Sequence, residues 1–217
     1  MQEIPNIVQE MEAQIGINLK NKAQIIIYAR HSDFHQSNIG LEVEDFYNVG
    51  GVSMVYANKI FIYYGGNIKE FRDNLRNGVA RLLINNYLIG NTLSSNIASS
   101  YVASYPSWFV DGLSYYYSHE FDAKVAAEVK DGILSKTYQH FYQLPIANQK
   151  IAGMSWWHFI DKVYGEEQLN AILYYTSVTR NYEKACQFVL GKSVKELLKE
   201  WINYYQKLYL LHEDENI

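Results

Sequence analysis

The 217-residue chain has few residues that cross-link or break regular structure: one cysteine and three prolines. The single Cys186 excludes an internal disulfide, and on a predicted helix we expect it to be a small core residue rather than a nucleophile. The apolar runs are also short. The run from Gln24 to Ala29 is far below the roughly 20 residues needed to cross a bilayer, so no transmembrane segment is predicted. The first residues, Met1 to Pro5, have neither the basic start nor the apolar stretch of a secretory signal.

Positive charge is scarce as well. The chain has 19 Lys and Arg against 23 Asp and Glu, a net charge of −4 and a pI near 5.9. Domains that bind nucleic acids usually carry a basic stripe, and this sequence has none, so we predict no nucleic-acid partner. The length fits one large domain or two small ones, and it is sufficient for a substantial hydrophobic core.

Patterning divides the chain into a β-rich beginning and a helical remainder. We predict an N-terminal extension or helix over 1–22, then a single α+β domain over 23–211, then a tail over 212–217. Within that domain, a small mixed sheet is expected over about 23–66 and helices over about 67–211.

The sheet is predicted from two segments. Ala23 to Arg30 is β-branched and strand-like, and Gly51 to Gly66 has the pattern of a hairpin that turns near Ala57-Asn58-Lys59. Between them, His31 to Asn38 is predicted as a short helix with Ser32 as its N-cap.

Helical periodicity dominates the rest of the chain. Asn67 with Glu70, and Ser193 with Glu196, have the spacing of capping boxes, and Gly191 stands where a helix should end. The predicted helices cover about 67–89, 92–101, 106–119, 121–132, 148–164, 166–178, 180–190 and 193–211.

Two of these helices carry the functional argument. Phe71 to Ile84 is a long amphipathic stretch, and the later helix begins Pro106-Ser107-Trp108-Phe109-Val110-Asp111-Gly112-Leu113. This pairing resembles the gluzincin metallopeptidases of the peptidase-MA type, in which the first helix carries His-Glu-x-x-His and the second supplies a third zinc ligand. The resemblance covers roughly residues 23–205. It places the first ligand position at Asn77, the general base at Gly78, the second ligand at Arg81 and the third at Asp111.

These substitutions oppose zinc catalysis. A catalytic zinc uses about three protein ligands and a water, and two histidines four residues apart supply two of them from one helix face. An asparagine amide is a poor ligand, and a guanidinium has no lone pair to offer. Gly78 has no side chain to take a proton from a zinc-bound water. We therefore predict no metal, no cofactor and no peptidase activity at this site. If the resemblance is accidental, the segment is an ordinary amphipathic helix in which Gly78 costs about 1 kcal/mol relative to alanine.

A closer resemblance is to the peptidase-like domain at the front of Bacteroidetes surface proteins that continue into a TolB-like β-propeller and are linked to gliding motility and secretion. This resemblance rests on the short sequence motifs Gly50-Gly51-Val52, Trp108-Phe109 and Asp131-Gly132-Ile133-Leu134-Ser135. The resemblance implies a periplasmic, cell-surface or secreted location, and a β-propeller domain in the full-length protein.

The resemblance also implies a cleft between a sheet edge and the Asn77/Arg81 helix. In active relatives an edge strand lies along the substrate peptide, and by analogy that strand is Ile60 to Tyr64. The candidate cleft-lining residues are Ile60, Ile62, Tyr64, Trp108 and Tyr115.

A more specific hypothesis concerns the vacated metal position. Both Arg81 and Asp111 face one zinc in the family, so the guanidinium is predicted to take the place of the metal and pair with the carboxylate. A lone acid buried there would be costly. The alternative is that Arg81 points to solvent and Asp111 makes a local cap.

Other residues give weaker signals. His31 and His35 are four apart, but the glutamate of a catalytic motif is absent between them, so surface histidines are expected. His158 is expected to be a hydrogen-bonded core histidine.

The function favoured by the sequence is a catalytically inactive, peptidase-like module that binds a protein or peptide partner or acts as a scaffold in the cell envelope. One alternative is a hydrolase that uses non-zinc groups such as Asp111, Glu120 and tyrosines. Another is a structural spacer.

Overall fold

The computed structural model describes residues 3–20, 22–37, 54–56, 58–89 and 105–214. The chain divides into two compact units, one formed by 1–104 with 117–119 and the other by 105–116 with 120–217. The described strands all lie in the first unit, and the fold is α+β with a predominance of helix. The prediction of a single domain over 23–211 stays a prediction.

Within the described residues up to Ile89, the first unit contains three helices and three strands. Their bounds are α1 Glu3–Ile15, β1 Gln24–Tyr28, α2 His31–His35, β2 Met54–Tyr56, β3 Lys59–Tyr63 and α3 Ile68–Ile89. The predicted hairpin is confirmed, because β2 and β3 pair antiparallel with Tyr56 opposite Lys59. The predicted helix over 92–101 lies outside the described residues.

The order of the strands corrects one prediction. The sheet runs β1-β3-β2, with β1 parallel and β2 antiparallel to β3, so the predicted mixed sheet is confirmed. Ile60 to Tyr64 was predicted to be the edge strand, and this prediction is wrong: β3 is the central strand. Over Lys59–Phe61 the backbone of β3 is paired with β1 on one side and with β2 on the other. A peptide therefore cannot bind as an additional strand beside these residues.

The two faces of the sheet pack differently. Phe61 and Tyr63 point to the face where Phe34 of α2 forms a small core with them. Alternation along the strand sends Ile60 and Ile62 to the opposite face, and both are fully buried. The helix α3 packs against β2 and β3. The sheet therefore has a hydrophobic layer on each side.

The short helix α2 differs from its predicted form. It begins after Arg30, which is in an extended conformation and makes no side-chain cap. Ser32 was predicted to be the N-cap, and this is wrong, because Ser32 lies inside the helix and its hydroxyl is 3.4 Å from Asp33 Oδ1. A five-residue helix is held by packing of Phe34 more than by its cap.

The second unit is helical. Its first helix is α4 Ser107–Ser118, whose last two residues belong to the first unit. The described residues after α4 form five α-helices and one 3-10 helix. Their bounds are α5 Ala123–Leu134, the 3-10 helix Thr137–Gln143, α6 Ile146–Tyr164, α7 Glu166–Thr179, α8 Tyr182–Leu190 and α9 Val194–Asp214.

Predicted end signals are confirmed in this unit. Ser193 Oγ accepts a hydrogen bond from Glu196 N at 3.3 Å, and Glu196 Oε2 accepts one from Ser193 N at 2.8 Å, which is a reciprocal capping box. Gly191 ends α8 in the left-handed conformation, with φ 71°, and its N–H donates to Gln187 O.

Helices α4 and α6 approach each other unusually closely. A Cβ added at Gly112 would lie 2.6 Å from the Gly153 carbonyl carbon, and one added at Gly153 would lie 2.2 Å from the Trp108 carbonyl oxygen. The approach brings together buried aromatic rings: Trp108 lies 5.2 Å from Trp156, and Phe109 lies 5.1 Å from Trp157. Gly112, part of the peptidase-like phrase, thus has a packing role here.

Candidate functional site

The helix α3 positions three of the four residues assigned to the peptidase-like site. It starts because the Asn67 side-chain oxygen accepts hydrogen bonds from the N–H groups of Lys69 and Glu70, at 3.0 and 3.3 Å. The middle of the helix is buried around most of its circumference. The buried residues of the helix are Asn74, Leu75, Asn77, Gly78, Val79, Ala80, Leu82, Leu83, Ile84 and Leu88.

Asn77 belongs to a buried polar chain. Its side chain is 7 % exposed, and its Nδ2 donates a hydrogen bond to Ser118 Oγ at 3.2 Å. The same Ser118 oxygen lies 2.8 Å from His119 Nδ1, and Ser118 is itself buried. The position that the peptidase resemblance assigns to the first zinc ligand is therefore occupied by an amide whose N–H is directed at a neighbouring hydroxyl.

The other positions fall in two places. Gly78 is buried on α3, and Arg81, one turn after Asn77, is partly buried with its Nε atom out of contact with solvent. Asp111 lies on α4 in the second unit, also partly buried, with its Oδ1 atom out of contact with solvent. The Arg81–Asp111 pair stays a prediction.

The residues on α3 do not fit a zinc ion. A ligand set at this position would need lone pairs from residues one turn apart, and the helix offers an amide and a guanidinium instead. Across residues 3–20, 22–37, 54–56, 58–89 and 105–214, no group of three or more His, Cys, Asp and Glu side chains is arranged to hold a metal ion.

The five candidate cleft residues have different surroundings. Ile60 and Ile62 are fully buried in the sheet core, and Trp108 is 1 % exposed among aromatic rings of the second unit. Tyr64 is 42 % exposed, and its hydroxyl donates to Gly66 O at 3.1 Å. Tyr115 is partly buried, with Lys150 Nζ 4.6 Å from its ring centroid. Only Tyr64 of the five is placed among the exposed residues.

Two titratable side chains of the second unit, Cys186 and His158, are surrounded by core residues. Burial raises the pKa of the Cys186 thiol to about 12, which suits a core residue and not a nucleophile. His158 is stacked on Phe121 with ring centroids 4.3 Å apart, and its Nδ1 lies 2.9 Å from the Tyr205 hydroxyl. Burial lowers the pKa of His158, as expected for a hydrogen-bonded core histidine.

A charged cluster joins the end of α6 to α9. Lys192 Nζ donates to Glu200 Oε1 at 2.7 Å and to the Tyr164 hydroxyl at 3.0 Å, while that hydroxyl donates to the other Glu200 oxygen. Hydrogen bonds from Lys192 and Tyr164 hold the pKa of Glu200 below its usual range. The lysine and the carboxylate are each partly exposed, so the cluster acts as a surface clamp between helices.

Sequence reasoning missed the partners of Asn77. Ser118 and His119 are 41 and 42 positions further along the chain, and neither belongs to the peptidase-like phrases. The available signal was the adjacent pair Ser118-His119 at the predicted end of α4, where short polar residues often satisfy buried groups.

The comparisons with known proteins leave the family open: no family model, no curated protein and no solved structure matches the chain. Within the described residues, none of the helices combines the length and apolar character that a membrane span requires.

Proposed function

We propose that the chain is a catalytically inactive, peptidase-like module that binds a protein or peptide partner in the bacterial cell envelope. The observation that carries the proposal is the hydrogen bond from Asn77 Nδ2 to Ser118 Oγ in the buried middle of α3. It means that the amide at the first ligand position is engaged as a donor. A metal would have to be bound through the amide oxygen of this residue, which is a poor zinc ligand, and Arg81 one turn later offers no electron pair.

The binding half of the proposal rests on the sheet edge. Among the described strands, β1 is last in the order, so its outer side is the candidate edge for an added strand. Gln24 N donates to Asn58 O, and Tyr28 O accepts from Tyr64 N, so Gln24, Ile26 and Tyr28 direct their backbone groups toward β3. By alternation, the N–H and C=O groups of Ile25 and Ile27 are directed outward.

A proline substitution tests this edge. Ile27→Pro removes an outward donor without removing a bond to β3, and Ile27 is 44 % exposed, so the fold should tolerate the change. Peptides that bind the unsubstituted chain, selected from an immobilised library, should bind this variant about fivefold more weakly, because each main-chain hydrogen bond contributes about 1 kcal/mol. The matched change Ile26→Pro removes a bond within the sheet and should lower stability instead.

Two results would count against the proposal. If peptides bind Ile27→Pro as tightly as the unsubstituted chain, the β1 edge is not the binding surface. If no peptide in a diverse library binds the unsubstituted chain, the binding role fails and the spacer alternative is favoured.

A second candidate function has one specific observation in its favour. Ser118 Oγ and His119 Nδ1 are 2.8 Å apart, the separation of a nucleophile and its general base. In this alternative the chain is a hydrolase without a metal. Against it, Ser118 is only 6 % exposed and already accepts the Asn77 N–H.

Fluorogenic ester and peptide substrates distinguish the two functions. The hydrolase alternative requires turnover that Ser118→Ala abolishes and Ser114→Ala, on the same helix, leaves intact. The binding module predicts no turnover above buffer for the unsubstituted chain.

A further inference from the structure

Helix α7 is apolar on two sides. One stripe faces the core, and its members are the buried residues Leu169, Ile172, Leu173 and Thr176. The second stripe follows the same helical spacing and faces outward. It consists of Ala171, Tyr174, Tyr175 and Val178, of which Tyr174 is 50 % and Val178 is 60 % exposed.

The outward stripe continues onto the next helix. Phe188 of α8 is 68 % exposed, and its ring centroid lies 4.3 Å from that of Tyr175. We refer to Ala171, Tyr174, Tyr175, Val178 and Phe188 as the α7 patch. Single exposed apolar side chains are ordinary, whereas a contiguous apolar patch with a charged rim is typical of a protein interface.

The charges at the two ends of the patch have opposite signs. Glu167 is exposed and lies on the same helical face as Ala171, Tyr174 and Val178, at steps of four, seven and eleven residues. At the other end, Lys184 is exposed one turn before Phe188. Because α8 follows α7 after only Arg180 and Asn181, Lys184 lies near the C-terminal end of α7.

Two other charged residues lie at that end: Arg180 adds positive charge, and Glu183 adds one negative charge. The Tyr182 hydroxyl lies 3.4 Å from Glu183 Oε1, and the pKa of Tyr142 is raised first by burial and then by the Glu183 carboxylate. The patch therefore carries negative charge at the start of α7 and positive charge at its end.

We propose that the α7 patch binds a second copy of this chain, with the two α7 helices antiparallel across a twofold axis near Tyr174. In this arrangement Glu167 of each copy faces Lys184 of the other, and every contact occurs twice. A parallel arrangement would put Glu167 against Glu167 and Lys184 against Lys184, which is repulsive. The charge layout thus favours the second copy and sets its direction.

Sedimentation velocity over a concentration series, up to about 1 mM, measures the association. We expect a monomer–dimer equilibrium for the full chain. Val178→Glu places a charge within the patch and should weaken the dimer about 10- to 100-fold. The matched control is Leu134→Glu on α5, at a side chain that is 49 % exposed outside the patch and should leave the equilibrium unchanged.

Charge reversal tests the direction of the two helices and does not depend on how Val178→Glu folds. Glu167→Lys and Lys184→Glu should each weaken the dimer about 3- to 30-fold, and the double variant should restore it. A chain that stays monomeric throughout the series overturns the proposal. So does a dimer that Val178→Glu leaves intact, a double variant that is weaker than both single variants, or a monomer whose patch binds a different protein.

Discussion

Replacing Gly153 with alanine is the perturbation whose effect follows most directly from the geometry. A Cβ at this position would lie 2.2 Å from the Trp108 carbonyl oxygen and 2.9 Å from the Trp108 Cα, which are both backbone atoms of α4. Ordinary van der Waals contact begins at 3.4 Å, so α4 and α6 must move apart by about 1.2 Å or tilt. No side-chain rotation can relieve a clash with backbone.

Two effects of opposite sign determine the result. Alanine is the better helix former, by about 1 kcal/mol per residue. Against this, separating the helices by an ångström removes about a quarter to a half of the dispersion energy of the contacts between them. These contacts include Trp108, Trp156 and Trp157, which are all fully buried or nearly so. Overpacking usually costs 1–3 kcal/mol, and here we expect a net loss of about 3 kcal/mol.

Urea unfolding followed by tryptophan fluorescence measures this loss, because all four tryptophans lie in the second unit. In thermal unfolding, the same loss should lower the melting temperature by at least about 6 °C. Gly191→Ala is the matched control: its Cβ would meet nothing within 4 Å, but its φ of +71° is strained, so it should lose only about 1 kcal/mol. If Gly153→Ala is as stable as the unsubstituted chain, or more stable, the close approach of α4 and α6 is refuted.

The other predictions concern one histidine, one thiol and one cap. Burial lowers the pKa of His158 in the folded chain. The stability that neutral His158 contributes should therefore be complete above the unfolded pKa of about 6.5 and be lost as the pH falls through the lower folded pKa. His158→Phe should flatten this part of a curve of unfolding free energy against pH. Cys186, buried with a pKa of about 12, should react with a disulfide reagent at neutral pH only when the chain is unfolded, and a fast reaction of the folded chain would contradict its placement. Ser193→Ala removes the acceptor that caps Glu196 N and should cost about 1 kcal/mol in urea unfolding, while Ser177→Ala, whose hydroxyl bonds only its own helix at Tyr174 O, should cost less.

The helices could be predicted because their signals are local. Periodicity and caps lie within a few residues of the ends that they determine: Asn67 caps α3, and Ser193 with Glu196 opens α9. Ser32 shows the limit of such signals. It has the right residue type near a helix start, but the observed N-cap is Arg30, two residues earlier, and packing of Phe34 in the core stabilises the short helix.

The strand order could not be predicted from these patterns. In the parallel pair of β1 and β3, Gln24 lies opposite Lys59. Neither segment contains a sequence signal for the side of β3 on which β1 pairs. Burial on both faces of a central strand gives a continuous apolar run, and Ile60 to Tyr63 has this run. That run could have indicated a central strand, although the peptidase resemblance suggested an edge.

The contacts of Asn77 could not be predicted from the sequence. The resemblance directed attention to Asn77, and the structure buries this side chain with Ser118 as its partner. That partner comes from a distant part of the chain, so only the tertiary fold identifies it. The same holds for Gly112 and Gly153, whose mutual contact explains two glycines that helix propensity alone would disfavour.

The central claim is that helix α3 has no metal site, and the number of zinc ions bound per chain tests this claim directly. The chain is equilibrated with zinc at neutral pH, dialysed, and analysed for metal per chain by mass spectrometry. We predict well below one zinc per chain, with no change in Asn77→Ala and no gain of peptidase activity. One zinc per chain that is lost in Asn77→Ala would show that this helix binds metal after all and would contradict the proposed loss of catalysis.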